Sequence, residues 1–274
     1  LHCRSVKLGA TVDLAVVARR TSGMVGADLA NVVNEAALAA VRRRSGSVEA
    51  QDFDEALDRL QLGLKKHGRG MTDDEKRRVA HHEAGHALVA LSLEKADPVH
   101  RVTIIPRSIG ALGATLQLPV GDRHLVTRRE LEDRIAVMLG GRAAEEVACG
   151  DVSSGALNDL ERATDTARQM VCHYGMSERL GPLTYGRPRG ARFLDDLVSG
   201  GRADLSEETA RAIDAEVRAV VTDQHERARR VLNERRAALC ALAARLIEAE
   251  TLDRPEIDRI VAEAEGTASS QDAA

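Results

Sequence analysis

A chain with two phenylalanines, two tyrosines and no tryptophan in 274 residues has little choice of core. Phe53, Tyr174, Tyr185 and Phe193 are its aromatic side chains, so the interior must be built from alanine, leucine, valine and isoleucine. Such side chains let helices pack closely and fill the space between two sheets poorly. The expected fold is therefore mainly α. The same scarcity removes the stacking platforms that bind single-stranded nucleic acid. A net charge of -4 gives no general pull toward nucleic acid or an anionic membrane surface. No nucleic-acid partner is expected.

The four cysteines, Cys3, Cys149, Cys172 and Cys240, lie far apart and form no C-x-x-C pair. They describe neither a disulfide framework nor a cysteine zinc site and read as reduced thiols. No apolar run approaches the roughly 20 residues needed to span a bilayer, and no signal peptide is visible. The chain starts at Leu1 and its opening reads as mid-domain, so it is expected to be a piece of a longer protein.

Periodicity places a short amphipathic helix at 12–19 and a longer one at 27–43. In the latter, Leu29, Val32, Val33, Ala36, Ala37, Ala40 and Val41 recur at helical spacing. Asp28 near its start and Arg42 to Arg44 at its end suit the helix dipole. A third helix follows at 50–60. Residues 1–62 thus form a small helical unit. The stretch 63–72, GLKKHGRGMT, has three glycines and no periodicity and reads as a linker. Thr72 and Glu75 have the spacing of a capping box for a helix over 73–94. Residues 100–120 contain HRVTIIP and GATLQLP, which suggest a small sheet. Helices resume at 128–148, 158–174, 206–249 and 255–264. The stretch 186–202 reads as a loop, and 266–274 as a disordered tail.

The run VAHHEAGHALV, Val79 to Val89, carries the chemistry. His82 and His86 are four residues apart, so on a helix both imidazoles lie on one face and can bind one zinc ion. His81 is rotated by about 100° from His82 and is excluded from the pair. Glu83 lies beside the first ligand without being one, as in the H-E-x-x-H arrangement of zinc peptidases. There zinc makes water acidic enough to attack an amide, and the glutamate takes the proton. At this chain's His and Glu frequencies the pattern arises by chance on the order of 0.03 times. Gly85 costs roughly 1 kcal/mol inside a helix, which makes sense if another backbone or a substrate passes close by. A catalytic zinc needs a third protein ligand. Glu145, Glu146, Asp151, Asp159 and Asp165 are all candidates, and composition does not choose among them.

These residues resemble the FtsH family of AAA-type, ATP-dependent zinc proteases. The segments that carry the resemblance are HEAGHALV (82–89), RVTIIPR (101–107), GGRAAEE (140–146), VSSGALNDLERAT (152–164), YGMSERLGP (174–182), SEETARAIDAEV (206–217) and TLDRPEIDRIV (251–261). GMVGADLANVVNEAAL (23–38) looks like the helical lid of the family's ATPase module. The resemblance implies a lid at 1–62, a linker at 63–72, a mostly helical zinc peptidase domain with a short β-sheet at 73–265, and a tail at 266–274. It implies Asp159 as third zinc ligand; the plain alternative is that Asn158 or Asp159 caps a helix. One of Glu145 and Glu146 is expected to orient a ligand histidine.

By the same resemblance one strand of the 101–118 region is an edge beside the zinc, where an extended polypeptide can add by backbone hydrogen bonds. Gly26 and Ala27 lie near the nucleotide of a complete ATPase module. ATP and Mg2+ belong to an ATPase core outside this chain, which holds no G-x-x-x-x-G-K-[ST] loop. The family implies unfolded or membrane-protein polypeptides as substrates and a homo-hexamer supported by the 206–249 helices. It also implies anchoring at the cytoplasmic face of the inner membrane through an N-terminal part absent here. Besides zinc, His173 is the candidate oxyanion stabiliser. Two other readings are an inactive homologue serving as a chaperone or assembly module, and a lid that acts chiefly as a partner-binding module.

Overall fold

The computed structural model describes residues 1–21, 23–63, 71–106, 112–117, 125–185 and 205–271. Most of the stretch expected as a linker, 63–72, and all of the one expected as a loop, 186–202, lie outside the described residues.

Three helices open the chain: α1 (Leu14–Arg20), α2 (Gly26–Arg42) and α3 (Ala50–Leu62). Asp13 caps α1 by accepting from the Ala15 N–H. In the first turns of the next two helices, Asp28 accepts from the Val25 N–H and Asp52 from the Glu49 N–H. Each carboxylate satisfies an amide at the helix entry and faces the positive end of the dipole. Of the apolar stripe expected over 27–43, Val32, Val33, Ala36 and Ala40 are buried and pack with Val48, Phe53, Ala56 and Leu57, Leu29 and Ala37 are half-buried, and Val41 is exposed at the end of the helix.

After residue 72 come α4 (Asp73–Ser92), β1 (Val99–Thr103), β2 (Ala114–Gln117) and α5 (Arg128–Cys149). They are followed by α6 (Leu157–Cys172), α7 (Glu207–Glu234), α8 (Arg236–Ala249), β3 (Thr251–Asp253) and α9 (Arg254–Gln271). The capping box read at Thr72 is present in both directions: the Thr72 hydroxyl accepts from the Glu75 N–H, and the Glu75 carboxylate from the Thr72 N–H. Every residue of α4 from His82 to Ala90 is buried, so this helix forms the axis of the molecule and not a surface stripe. Alpha5 crosses one side of it. Alpha8 covers another with Leu239, Leu242 and Leu246, which share a core with Leu88, Val102, Ile104, Leu232 and Leu252. A second core joins α5, α6 and α7 through Ile135, Leu139, Ala163, Ala167, Met170, Ile213 and Val217.

The small sheet is antiparallel in the order β2-β1-β3. It has a third strand that the sequence reading lacks, because three residues between two helices carry no alternation to read. The pairing of β1 with β2 shifts between Val99 and Arg101, leaving His100 as an inserted residue. Arg101 beside it reaches Asp253 of β3 at 2.6 Å and Asp54 of α3 at 3.1 Å. A charge contact therefore ties α3 to the sheet.

Two boundaries differ from expectation. The stretch 206–249 is two helices, broken at Arg235, whose side chain holds the corner by reaching Ser92 of α4 and Glu265 of α9. No glycine or proline marks the break, so local sequence gives no sign of it. The tail expected to lack structure from residue 266 instead continues α9 to Gln271. That helix is seated by Ile257 and Val261 and tied near its end by the Arg235–Glu265 pair. Residues 272–274 lie outside the described residues.

Candidate metal centre

Three side chains from two helices meet at one point. His82 and His86 come from successive turns of α4, and Asp159 from the first turn of α6. The His82 and His86 Nε2 atoms are 3.1 Å apart, and the Asp159 Oδ2 lies 3.3 Å from the first and 3.4 Å from the second. A tetrahedral zinc with nitrogen ligands at about 2.0–2.1 Å separates its ligand atoms by about 3.3 Å. The triangle has the size of one face of that tetrahedron. His81 stands apart, its Nδ1 against the Arg77 carbonyl at 2.8 Å.

Hydrogen bonds behind the rings decide which nitrogens face the centre. The Nδ1 of His86 lies 2.7 Å from the Val137 carbonyl. A carbonyl can only accept, so Nδ1 carries the proton and Nε2 of the neutral ring presents a lone pair. The Nδ1 of His82 lies 2.7 Å from the Glu145 carboxylate, with the same consequence. Glu145, only 1 % exposed, is itself held by the Ser153 N–H at 2.6 Å and the Ser153 hydroxyl at 3.1 Å, with Arg78 at 3.6 Å. Two nitrogen lone pairs and a carboxylate oxygen converging in a buried space repel one another and call for a cation. The donor set fits zinc.

Titration follows from the same geometry. Burial opposes charge on His82, but Asp159, Glu145 and the nearby Glu83 outweigh it and push its pKa up to about 10. A metal bound at that imidazole would have to displace its proton. Burial also works against the charge of Asp159, yet the two imidazoles win and hold it below the usual carboxylate range. Burial raises Glu83 above its ordinary value, against the opposing pull of His86, His82 and the Thr115 hydroxyl.

Glu83 stays out of the triangle. Its carboxylate accepts from the Thr115 hydroxyl at 2.8 Å, and it lies under the start of β2, where a Cβ on Gly113 would meet its carboxylate oxygen at 2.7 Å. Of the other acidic candidates, Glu145 stands behind His82, while Glu146 pairs with His225 at 2.9 Å on a different face of α5. Asp151 and Asp165 are exposed; among the described residues, the group of His82, His86 and Asp159 alone brings metal-binding atoms together. Asp159 does not spend its side chain on a helix cap. Asn158 is exposed, and the Ser153 hydroxyl takes the Gly155 N–H at 3.2 Å.

His173 is not at the centre. It follows the last turn of α6, exposed, about 21 Å along the helix from Asp159 at 1.5 Å per residue. Gly26 and Ala27 lie exposed in the first turn of α2. Sequence reasoning missed Thr115, Ser153, Arg78 and the particular use of Gly140 and Gly141. A Cβ on Gly141 would fall 2.4 Å from the His82 Nε2, so the glycine makes room for the imidazole. The adjacent glycines are a readable signal, but their partner is over fifty residues away.

A tetrahedral ion held by these two imidazoles and one carboxylate would keep its fourth position open, as catalytic zinc requires and structural zinc does not. With a buried glutamate between the two histidines on the same helix, the chain falls in the class of zinc-dependent peptidases. Residues 69–260 match peptidase family M41, and residues 11–55 match the AAA+ lid domain. The chain belongs to peptidase family M41. It is 54% identical over 263 residues to the ATP-dependent zinc metalloprotease FtsH of Syntrophobacter fumaroxidans, an overlap of 96% of this chain and 41% of that protein. The FtsH 1 protein of Sorangium cellulosum is 54% identical over 262 residues, 96% of this chain and 42% of its own length. FtsH of Thermotoga maritima is 47% identical over 263 residues, 96% and 43% respectively. The chain thus spans about two fifths of the length of these relatives.

Replacing Glu145 by glutamine leaves the His82 ring with a neutral, weaker acceptor. Zinc affinity is expected to fall about 10- to 100-fold, read by competition with a chromophoric chelator. Unchanged affinity would show that Glu145 does not orient His82.

Proposed function

We propose that this chain is the peptidase part of an ATP-dependent zinc protease that cuts unfolded or delivered polypeptides. His82, His86 and Asp159 hold one zinc ion, and Glu83 is the general base. Bound there, zinc supplies the Lewis acidity that polarises a peptide carbonyl and makes water acidic near neutral pH. The chain's own groups do the rest. The Val137 carbonyl and the Glu145 carboxylate fix the two imidazoles so that both Nε2 atoms face inward. Glu83, ionised beside the cation, takes the proton of the attacking water and passes it to the leaving amine. Beta2 lies at the edge of the sheet and offers its free side to an extended substrate.

Residues 1–62 act as the lid of an ATPase module, with Gly26 and Ala27 near its nucleotide. ATP and Mg2+ are handled by an ATPase core outside these residues. The whole protein works as a homo-hexamer held to the cytoplasmic face of the membrane by a segment outside this chain. Among the described residues no helix is long and apolar enough to cross a membrane. An inactive assembly module finds no observation in its favour.

The observation that carries this reading is the triangle of donor atoms, two corners buried and one half-buried, sized for one face of a tetrahedral ion and backed so that its lone pairs converge. Removing zinc with a chelator is expected to abolish cleavage of casein, whose unfolded chain needs no motor. It should also lower thermal stability, since a ligand at 100 times its Kd contributes about 2.7 kcal/mol. One equivalent of zinc should restore both. Full cleavage by thoroughly metal-free protein would sink the proposal.

A further inference from the structure

Among the described residues, no side chain of α4 is hydrogen-bonded to the Glu83 carboxylate. The Glu83 carboxylate accepts instead from the Thr115 hydroxyl at 2.8 Å, and the same hydroxyl lies 3.1 Å from the Glu83 carbonyl. Thr115 sits in the middle of the edge strand β2, paired with Val102 of β1. Two residues earlier, Gly113 passes so close over Glu83 that a Cβ there would fall 2.7 Å from the Cγ and from the carboxylate oxygen. Glu83 is only 7 % exposed. Its long side chain has three rotatable bonds, and Gly113 just ahead of β2 and Thr115 within it close off most of its freedom, one by filling space and one by donating a hydrogen bond.

We propose that Thr115 is a positioning residue for Glu83, with Gly113 leaving the room that the bonded conformation needs. The inference rests on the reading of Glu83 as general base. One carboxylate oxygen is tethered by Thr115, so the other is left for the water. Because the tether belongs to the strand edge at which a substrate would pair, the position of the base is set by the strand that holds the substrate. A general base misplaced by an ångström loses much of its effect, whereas the backbone of β2 does not depend on the hydroxyl.

The test compares Thr115→Val and Thr115→Ser with the parent chain and with Glu83→Gln, all at one zinc per chain. Valine keeps the shape and β-branching and removes the donor; serine keeps the donor. In casein cleavage Thr115→Val should lower kcat about 10- to 100-fold, the weight of a hydrogen bond to a charged group, with KM unchanged. Thr115→Ser should stay within about threefold. A second readout does not use turnover. Acetohydroxamic acid, which presents an acidic N–OH to a general base, should bind the zinc-loaded Thr115→Val chain more weakly by a similar factor, and the serine variant like the parent.

Equal kcat in the valine variant and the parent would overturn the inference, as would a raised KM with kcat retained, which marks a deformed strand. So would equal hydroxamate affinity across parent, valine and serine chains while Glu83→Gln binds weakly. If Glu83→Gln itself cleaves and binds hydroxamate like the parent, the reading of Glu83 as base is what has failed.

Discussion

Glu83→Gln is expected to bind a full equivalent of zinc and to cut casein on the order of a thousandfold more slowly than the parent chain, within the roughly 100- to 10,000-fold range of general acid–base catalysis. The two halves of that expectation have separate grounds. Glu83 is outside the triangle formed by His82, His86 and Asp159, so losing its charge removes no ligand. The glutamine carbonyl can still accept from the Thr115 hydroxyl that holds Glu83 now, so the side chain should keep its place. An amide, however, cannot take a proton near neutral pH. Stability should not suffer, because burial already disfavours the charged carboxyl and a neutral amide avoids that cost. The measurement is casein cleavage with zinc determined by mass spectrometry on the same samples. Equal cleavage would show that Glu83 is not the base. Lost cleavage together with lost zinc would show that it supports the metal and that the triangle does not stand alone.

The site divides into what helical spacing can reveal and what it cannot. His82, Glu83 and His86 lie within five residues of one helix, so a fixed rotation per residue sets where each one points relative to the others. Glu145 is a different case. Nothing in GGRAAEE distinguishes it from Glu146, because the choice depends on which face of α5 meets α4. The fold makes that choice: Glu145 faces His82 at 2.7 Å and Glu146 faces His225 at 2.9 Å. Asp159 is 77 residues from His82, and it is the family's pattern, not spacing, that singles it out. The helices are legible where apolar positions recur, as at Val32, Val33, Ala36 and Ala40. The corner at Arg235 and the three-residue strand β3 are not, since both are fixed by contacts with distant elements. Thr115 belongs with them, an ordinary β-branched residue whose hydroxyl gains its role only where β2 passes over α4.

Gly85 is the position where a single methyl group should do the most damage. By local propensity Gly85→Ala ought to stabilise α4 by roughly 1 kcal/mol. The crossing of the two central helices reverses that sign. A Cβ on Gly85 would lie 2.4 Å from the Ala144 Cβ and 2.5 Å from the Gly140 carbonyl oxygen of α5. Neither neighbour can turn away: one is a methyl fixed to a buried helix and the other is backbone. The reverse substitution at Gly140 meets the Gly85 carbonyl oxygen at 3.0 Å, so each helix uses a glycine where the other's backbone passes. The helices must separate, opening the packing around Leu88, Ala136 and Ala143. Overpacking of this kind costs about 1–3 kcal/mol, occasionally more, and backbone contact on both sides places it at the upper end. About 3 kcal/mol of overpacking less the roughly 1 kcal/mol of propensity leaves about 2 kcal/mol, which at about 2–4 °C per kcal/mol for a chain of this size lowers Tm by about 4–8 °C. The loss is functional as well, because Gly85 lies between His82 and His86, while Val137, Gly141 and Glu145 of α5 supply their support. A small displacement of α5 therefore loosens both imidazoles at once, and zinc affinity should fall with Tm. Calorimetric melting with and without zinc measures both. A Gly85→Ala chain that melts higher than the parent would mean that the helices do not cross as closely as described and that propensity wins.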